Sequence, residues 1–268
     1  GTLSYAYDTL NRIKQVTYPD SKVISYEYDA SGSRTKLVYP DSSYITYDYD
    51  QLNRLKTIKD HSAQAIASYS YDALSRRTQL DYANNTRSVY TYDAINRLTR
   101  IQGLSPQGTI PEFNYTYDKV GNRRNKVTSS GTESYTYDKI YQLTNVTYPD
   151  TSTKAYNYDP LGNRTSTVNG GTTSYTTNSL NQYTQVGGSA YTYDANGNLT
   201  STATNTYSYD SENRLVEGTV PDRGLSLTYK YDPFGRRIEK NVNGVITRFL
   251  YDGDQIIAEY DGSGNLTK

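Results

Sequence analysis

The stretch Tyr156-Asn157-Tyr158-Asp159-Pro160-Leu161-Gly162-Asn163-Arg164 reads as the end of one β-strand, a tight turn and the start of the next. Tyr156 and Tyr158 are two residues apart, so in a strand they project from one face. Asp159 offers a short acceptor side chain for the first position of a type I turn. Pro160 presets φ at the second position, and Gly162 falls at the fourth, where positive φ is common. A type I turn followed by a left-handed residue makes the three-residue hairpin loop with a bulge.

The same signal recurs along the chain. Its aspartate position falls at Asp8, Asp29, Asp50, Asp72, Asp93, Asp118, Asp138, Asp159, Asn178 (a decayed copy), Asp194, Asp210, Asp232 and Asp252. These thirteen copies have a mean spacing of about 20 residues and a commonest spacing of 21, which marks a repeat architecture. Three residues after the aspartate stands Asn11, Gly32, Asn53, Asn96, Gly121, Gly162, Asn181, Gly197, Asn213 or Gly235. Gly and Asn reach the left-handed region most cheaply. Only Ser75, Tyr141 and Gln255 depart from that choice. Positive φ is therefore predicted at Gly32, Gly121, Gly162, Gly197 and Gly235.

Each unit carries a second turn. In the first it is Pro19-Asp20-Ser21, between the strands Arg12–Tyr18 and Val23–Tyr28. Tyr39-Pro40-Asp41-Ser42 and Tyr148-Pro149-Asp150-Thr151 repeat it, and Tyr82-Ala83-Asn84-Asn85 does so without proline. Two strands and two turns per unit predict an all-β, wholly antiparallel array. Leu55 and Ile58, like Leu143 and Val146, are three apart, so a bulge after the turn is needed to place both on one face. Gly103, Pro106, Gly108 and Pro111 predict a longer loop between Thr99 and Phe113. The 16-residue spacings around Asn178, Asp194 and Asp210 predict tighter hairpins. Apolar residues show no 3.6-residue recurrence, so no helix is predicted.

Composition excludes several classes of function. Among 268 residues, Lys plus Arg and Asp plus Glu each number 28. The chain therefore lacks a net field that would draw in nucleic acid or an anionic membrane. Its apolar runs are too short to span a bilayer as helices. Cysteine is absent, which removes disulfides and thiolate chemistry. Methionine is absent too, so the sequence is read as a piece, or a processed piece, of a longer protein. Thirty-two tyrosines against three phenylalanines and no tryptophan predict a core rich in hydroxyl groups that need partners. Identical tyrosines at one register, such as Tyr26 with Tyr28, Tyr47 with Tyr49 and Tyr156 with Tyr158, predict stacked ladders across neighbouring repeats.

Tyr-x-Tyr-Asp-x-x-Gly/Asn-Arg-Leu, with Tyr-Pro-Asp in the second turn, resembles the RHS/YD-repeat family over essentially the whole sequence. Tyr231-Asp232-Pro233-Phe234-Gly235-Arg236-Arg237 and then Phe249–Asp261 are similar to the opening of that family's core-associated region. Residues 1–217 are thus read as repeat array and residues 218–268 as the start of that region, continuous with the array. The family includes bacterial polymorphic toxins, C components of Tc-type insecticidal complexes, wall-associated proteins and animal teneurins. The resemblance implies a long sheet spiralling into a hollow shell, which in toxin members encloses a C-terminal effector. The family's autoproteolytic aspartate motif lies beyond the matched stretch, so no catalytic residue is carried over.

Candidate chemistry is sparse. The one histidine, His61, lies in Asp60-His61-Ser62. Three contiguous residues cannot converge as a triad does, and a solvated loop histidine is the expected reading. The repeated aspartates are expected to accept hydrogen bonds within their own turns. Asp252-Gly253-Asp254 and Asp261-Gly262-Ser263-Gly264-Asn265 look faintly like calcium loops but lack the bidentate glutamate, so turns are expected at both. Asn84, Asn114, Asn145, Asn163, Asn198 and Asn265 fit the N-glycosylation sequon; chance and turn preference account for most of these in a chain so rich in Asn and Thr. The expectation is a non-enzymatic shell segment of a secreted or cell-surface protein, with no catalytic, cofactor or metal site. Its expected partner is an enclosed polypeptide. The alternatives are a glycan-binding adhesion module and a subunit joining flanking repeats or further copies through strand edges.

Overall fold

The computed structural model describes residues 2–268. Among them are 26 β-strands and a three-residue 3-10 turn, Pro221–Arg223. The chain forms two compact units. One comprises the residues up to Tyr137 with Val146–Thr151, and the other Asp138–Asn145 with Ser152–Lys268.

In the first unit every strand from β1 (Ser4–Tyr7) to β13 (Gly131–Tyr137) pairs antiparallel with the next in sequence. In the second unit the strands from β15 (Thr153–Tyr158) to β26 (Gln255–Asp261) do the same. The fold is the predicted all-β hairpin array.

The turns have the predicted geometry. Gly162 N–H donates to the Asp159 carbonyl at 3.0 Å, and Asp159 N–H donates to the Asn163 carbonyl at 2.9 Å. Gly32, Gly121, Gly162, Gly197 and Gly235 have φ of 90°, 99°, 87°, 85° and 77°. Ser75 and Tyr141, despite their side chains, also take left-handed φ of 61° and 68°. The Asp252 copy is different. Asp252 pairs directly with Gln255 across a two-residue Gly253-Asp254 turn, so this copy closes with a tighter turn. A turn of this form stands instead at Asp261, whose carbonyl accepts Gly264 N–H and whose N–H donates to the Asn265 carbonyl. This is the stretch that had looked like a calcium loop.

A bulge follows the turn in unit after unit. Tyr49 pairs with Leu55 while Asp48 pairs with Thr57. The extra residue brings Leu55 and Ile58 to one face, as the three-residue spacing requires. Cross-strand partners then segregate by chemistry. One face of the first unit carries Val16 opposite Ile24, Tyr26 opposite Leu37, Tyr47 opposite Ile58 and Tyr69 opposite Leu80. The other carries Gln15 opposite Ser25, Glu27 opposite Lys36, Asp48 opposite Thr57 and Ser70 opposite Gln79. The core lies on the first face, where Ile24 and Leu37 are essentially sealed from solvent.

The predicted loop between Thr99 and Phe113 is instead a hairpin of β10 (Leu98–Ser105) and β11 (Gly108–Tyr117). Gly103 and Pro111 are accommodated by a register shift between Gln102 and Leu104, and Pro106-Gln107 is the two-residue turn between paired Ser105 and Gly108. Pro111, which has no N–H to give a ladder, falls in that irregularity. Gly103 leaves room for Ile110: a Cβ at Gly103 would lie 2.5 Å from the Ile110 Cβ. The tighter hairpins do form, through Gly187-Gly188 and through Ala203-Thr204. Gly187 and Gly188 have φ of 57° and 88°, as a two-residue type I′ turn demands.

Candidate functional site

The recurring feature of this chain is the row of Asp turns and the side chains that tie each turn to the next. At Asp50 one carboxylate oxygen accepts the N–H groups of Leu52 and Arg54 at 2.9 and 3.0 Å. The other accepts Arg54 Nε at 2.7 Å. The same guanidinium donates to the Asp72 carbonyl at 3.2 Å and to Ser75 Oγ at 3.1 Å in the following turn. It lies 4.6 Å from the centre of the Tyr71 ring, whose hydroxyl donates to the Leu55 carbonyl at 2.7 Å. One arginine thus closes its own turn and clasps the next.

The arrangement recurs with Arg12 and Tyr28, Arg76 and Tyr92, Arg97 and Tyr117, Arg214 and Tyr231, and Arg236 and Tyr251. Where asparagine replaces the arginine, the shorter side chain keeps part of the pattern. Asn163 donates to both Asp159 and Asn181, and Asn198 to both Asp194 and Asn213. The aspartates do turn chemistry, as expected. The side-chain donor of Arg54, then its backbone N–H, holds Asp50 below the ordinary carboxylate value. Asn163 does the same for Asp159.

The predicted tyrosine ladder needs correction. Equivalent tyrosines stand two strands apart, about 9.6 Å at ordinary strand spacing, too far for rings to stack. Arginine from the intervening strand fills the gap. Arg34 lies 5.6 Å from the Tyr26 ring and 5.0 Å from the Tyr47 ring. Arg123 sits likewise between Tyr115 and Tyr135, Arg164 between Tyr156 and Tyr175, and Arg237 between Tyr229 and Phe249. Arg34→Ala is expected to lower stability by about 0.5–2 kcal/mol. Arg34→Lys should recover only part of that, because an ammonium lacks the planar faces; denaturant titration of the three proteins measures the difference. The tyrosines also meet the expected need for partners: burial, with a hydrogen bond to Glu133, pushes Tyr135 up to about 12.

His61 occupies the tip of a turn of the same form, closed by Asp60 and Gln64. The Ser62 hydroxyl donates to Asp60 at 2.7 Å, and the His61 ring is edge-on to Tyr44 at 6.5 Å. A recess of about 380 Å³ is lined by Asp81, Tyr82, Asn85, Thr86, Arg87, Leu104, Ser105 and Pro106, with Arg87 Nε paired to Asp81 at 2.5 Å. Nothing in it supplies a nucleophile with its base. Among the described residues no three His, Asp or Glu side chains cluster as metal ligands would, and no helix is long and apolar enough to cross a membrane. Several sequon asparagines, namely Asn163, Asn198 and Asn265, spend their amide nitrogen inside their own turns.

Comparison with known proteins bears on this geometry. The teneurin YD-shell family matches residues 121–261, more than half of the chain, and the RHS repeat matches residues 7–44. The chain belongs to the RHS/YD-repeat family. A tRNA nuclease, WapA, of Bacillus subtilis is 34% identical over 140 residues, covering 49% of this chain and 6% of WapA. A probable deoxyribonuclease, RhsB, of Dickeya dadantii is 46% identical over 52 residues, covering 19% of this chain and 4% of RhsB. The YD-repeat chain therefore spans only a small fraction of the curated relatives it matches. A crystal structure of TcdB2-TccC3-TEV superimposes with a TM-score of 0.72 at 19% identity, covering 97% of this chain and 16% of that one. The Photorhabdus luminescens Tc holotoxin pore gives 0.70 at 17% identity, covering 92% and 15%. These solved structures share the fold of this YD-repeat array.

Proposed function

We propose that this YD-repeat chain is a length of shell wall in a secreted or cell-surface protein, enclosing a polypeptide cargo and performing no catalysis itself. The observation that carries the reading is the sheet's two-sided chemistry, built by one hairpin unit in register. An aliphatic, tyrosine and arginine face backs a face of Ser, Thr, Asn and paired charges, including Lys36 with Glu27 and Lys59 with Asp48. Such a wall divides two environments without a second layer. The nuclease names of WapA and RhsB belong to proteins of which this stretch is a small part, and among the described residues no His, Asp and Glu cluster as ligands for a metal ion. In the same reading residues 1–217 are the array and residues 218–268 open the core-associated region. The added Pro221–Arg223 turn and the buried Leu250, Tyr251, Ala258 and Tyr260 support that boundary.

The strand β1, exposed along its length, favours joining to a flanking repeat at that edge. Limited proteolysis of the parent protein tests the wall reading. Polypeptide beyond the array should resist cleavage while the array is folded and become cleavable when core substitutions open it. Equal cleavage in both states would remove the enclosure reading. Selective binding on a glycan array would favour the adhesion alternative.

A further inference from the structure

Six Asp turns are closed from within by an arginine four residues on, namely Arg12, Arg54, Arg76, Arg97, Arg214 and Arg236. Arg76 shows what such a guanidinium meets. Its Nε donates to Asp72 Oδ2 at 2.7 Å, and its Nη1 donates to the Asp93 carbonyl at 3.3 Å and to Asn96 Oδ1 at 2.8 Å. Its central carbon lies 4.7 Å from the centre of the Tyr92 ring. In the Asp29 turn the residue at that place is Ser33. The Ser33 hydroxyl donates to Asn53 Oδ1 in the following turn at 2.7 Å and does not return to its own aspartate. Asp29 Oδ1 accepts the Ser31 hydroxyl at 2.7 Å and the Ser33 N–H at 2.9 Å. No side chain among the described residues donates to Oδ2, the oxygen that takes the arginine in the six sister turns.

The groups that would receive an arginine in place of Ser33 are Asp29, Tyr49, Asp50 and Asn53, and all four line one recess of about 530 Å³. Two of the carboxylates bordering it are already neutralised, Asp48 by Lys59 and Asp50 by Arg54. Asp29 has no ion pair among the described residues. The Tyr49 ring is held in place by its hydroxyl, which donates to the Arg34 carbonyl at 2.8 Å. The Arg34 guanidinium itself is engaged between Tyr26 and Tyr47. We propose that this recess binds the guanidinium of an arginine presented by another polypeptide segment, in the place that the turn's own side chain fills elsewhere. In the sister turns a carboxylate oxygen, a carbonyl, a side-chain oxygen and a ring face are satisfied together by one planar fork. An ammonium is a point charge and cannot match that set. A metal ion fits less well, since no three acidic or histidine side chains cluster as its ligands among the described residues. The site goes beyond the wall reading, because it forms whether or not the wall encloses a cargo.

Titration of the isotope-labelled full chain with an end-blocked glycyl-arginyl-glycine peptide, followed by amide chemical shifts, tests the proposal. The amides of Asp29, Tyr49 and Asn53 should shift saturably, with a dissociation constant on the order of 1–10 mM for this single side chain. The lysyl peptide should bind more weakly, and the citrullyl peptide, which keeps the shape without the charge, should leave these amides unmoved. Ser33→Arg supplies the guanidinium from within. It should weaken peptide binding at least about tenfold and raise the denaturant midpoint. Asp29→Asn should weaken binding likewise while the turn persists. Asn178 builds the same turn with an amide, its Oδ1 accepting the N–H groups of Leu180 and Gln182 at 2.9 and 3.0 Å. Three outcomes would overturn the inference: no saturable shift at these amides, equal shifts from the citrullyl peptide, or undiminished binding by Ser33→Arg. None of the three bears on protease protection of a cargo.

Discussion

Ile24→Ala is expected to cost about 2–5 kcal/mol of stability, and Leu37→Ala a similar amount. Both side chains are almost wholly removed from solvent, at 0% and 1% exposure, and their neighbours are held in a hydrogen-bonded sheet with little freedom to collapse into a void. A single-layer array has few such residues, so each matters more than it would in a thick core. The loss should also be local. In repeat arrays stability is approximately a sum of unit and nearest-neighbour contributions. Hydrogen exchange should therefore accelerate around Val16, Ile24, Leu37 and Ile45 while amides in the second unit keep wild-type protection. A uniform rise in exchange across both units would show that the array behaves as one cooperative block.

Acid should unfold the array progressively, with stability flat near neutrality and falling below about pH 4. The sign follows from the turn carboxylates. Asp8, Asp50, Asp93, Asp159, Asp194 and Asp210 are all held below the ordinary value of 3.8. In Asp8, Asp93 and Asp210 the leading cause is the backbone N–H four residues on; in Asp50, Asp159 and Asp194 it is the side chain there. A lowered folded pKa stabilises the native state above the unfolded value, and that contribution disappears as pH falls through the folded one. Each carboxylate is solvent-facing and contributes little alone; the effect is large because the same turn titrates many times over. Denaturant midpoints measured from pH 7 down to pH 2 test it. A midpoint unchanged down to pH 2 would show that the clasps between turns hold without their charge.

The turns were readable in the sequence because their chemistry is local. Asp with Gly or Asn three places later specifies a left-handed position whatever the neighbours do, and the bulge followed from Leu55 and Ile58 being three apart. What escaped was the part that depends on distance between strands. Arg34 and its equivalents were visible in the motif, yet their place between tyrosines follows only from equivalent rings being two strands apart. The segment from Thr99 to Phe113 misled for a related reason. Gly103 and Pro111 are usually breakers, and only the pairing register shows one making room for Ile110 and the other lying in a bulge. At Asp252 the unit keeps its place in the row, with Arg236 donating to the Gly253 carbonyl, but Gly253 already takes the positive φ of 57°, so the chain reverses in two residues. The apolar residue two places after most turn aspartates, Leu52 and Leu74 among them, stood in the sequence, but that it faces solvent is a fact of the folded turn.

The meander has a mechanical consequence. Within each unit the backbone ladder joins a strand to its neighbours in sequence, and the bonds that reach further are side-chain clasps between turns such as Arg54 to Ser75. Tension drawn along the chain from either end meets the sheet as a zipper, rupturing one hairpin's bonds before loading the next. Each hairpin that yields pays out about 21 residues, roughly 70 Å of extended chain. Such a wall resists crushing across its width and gives way cheaply when peeled, so the direction of pull decides how strong it is.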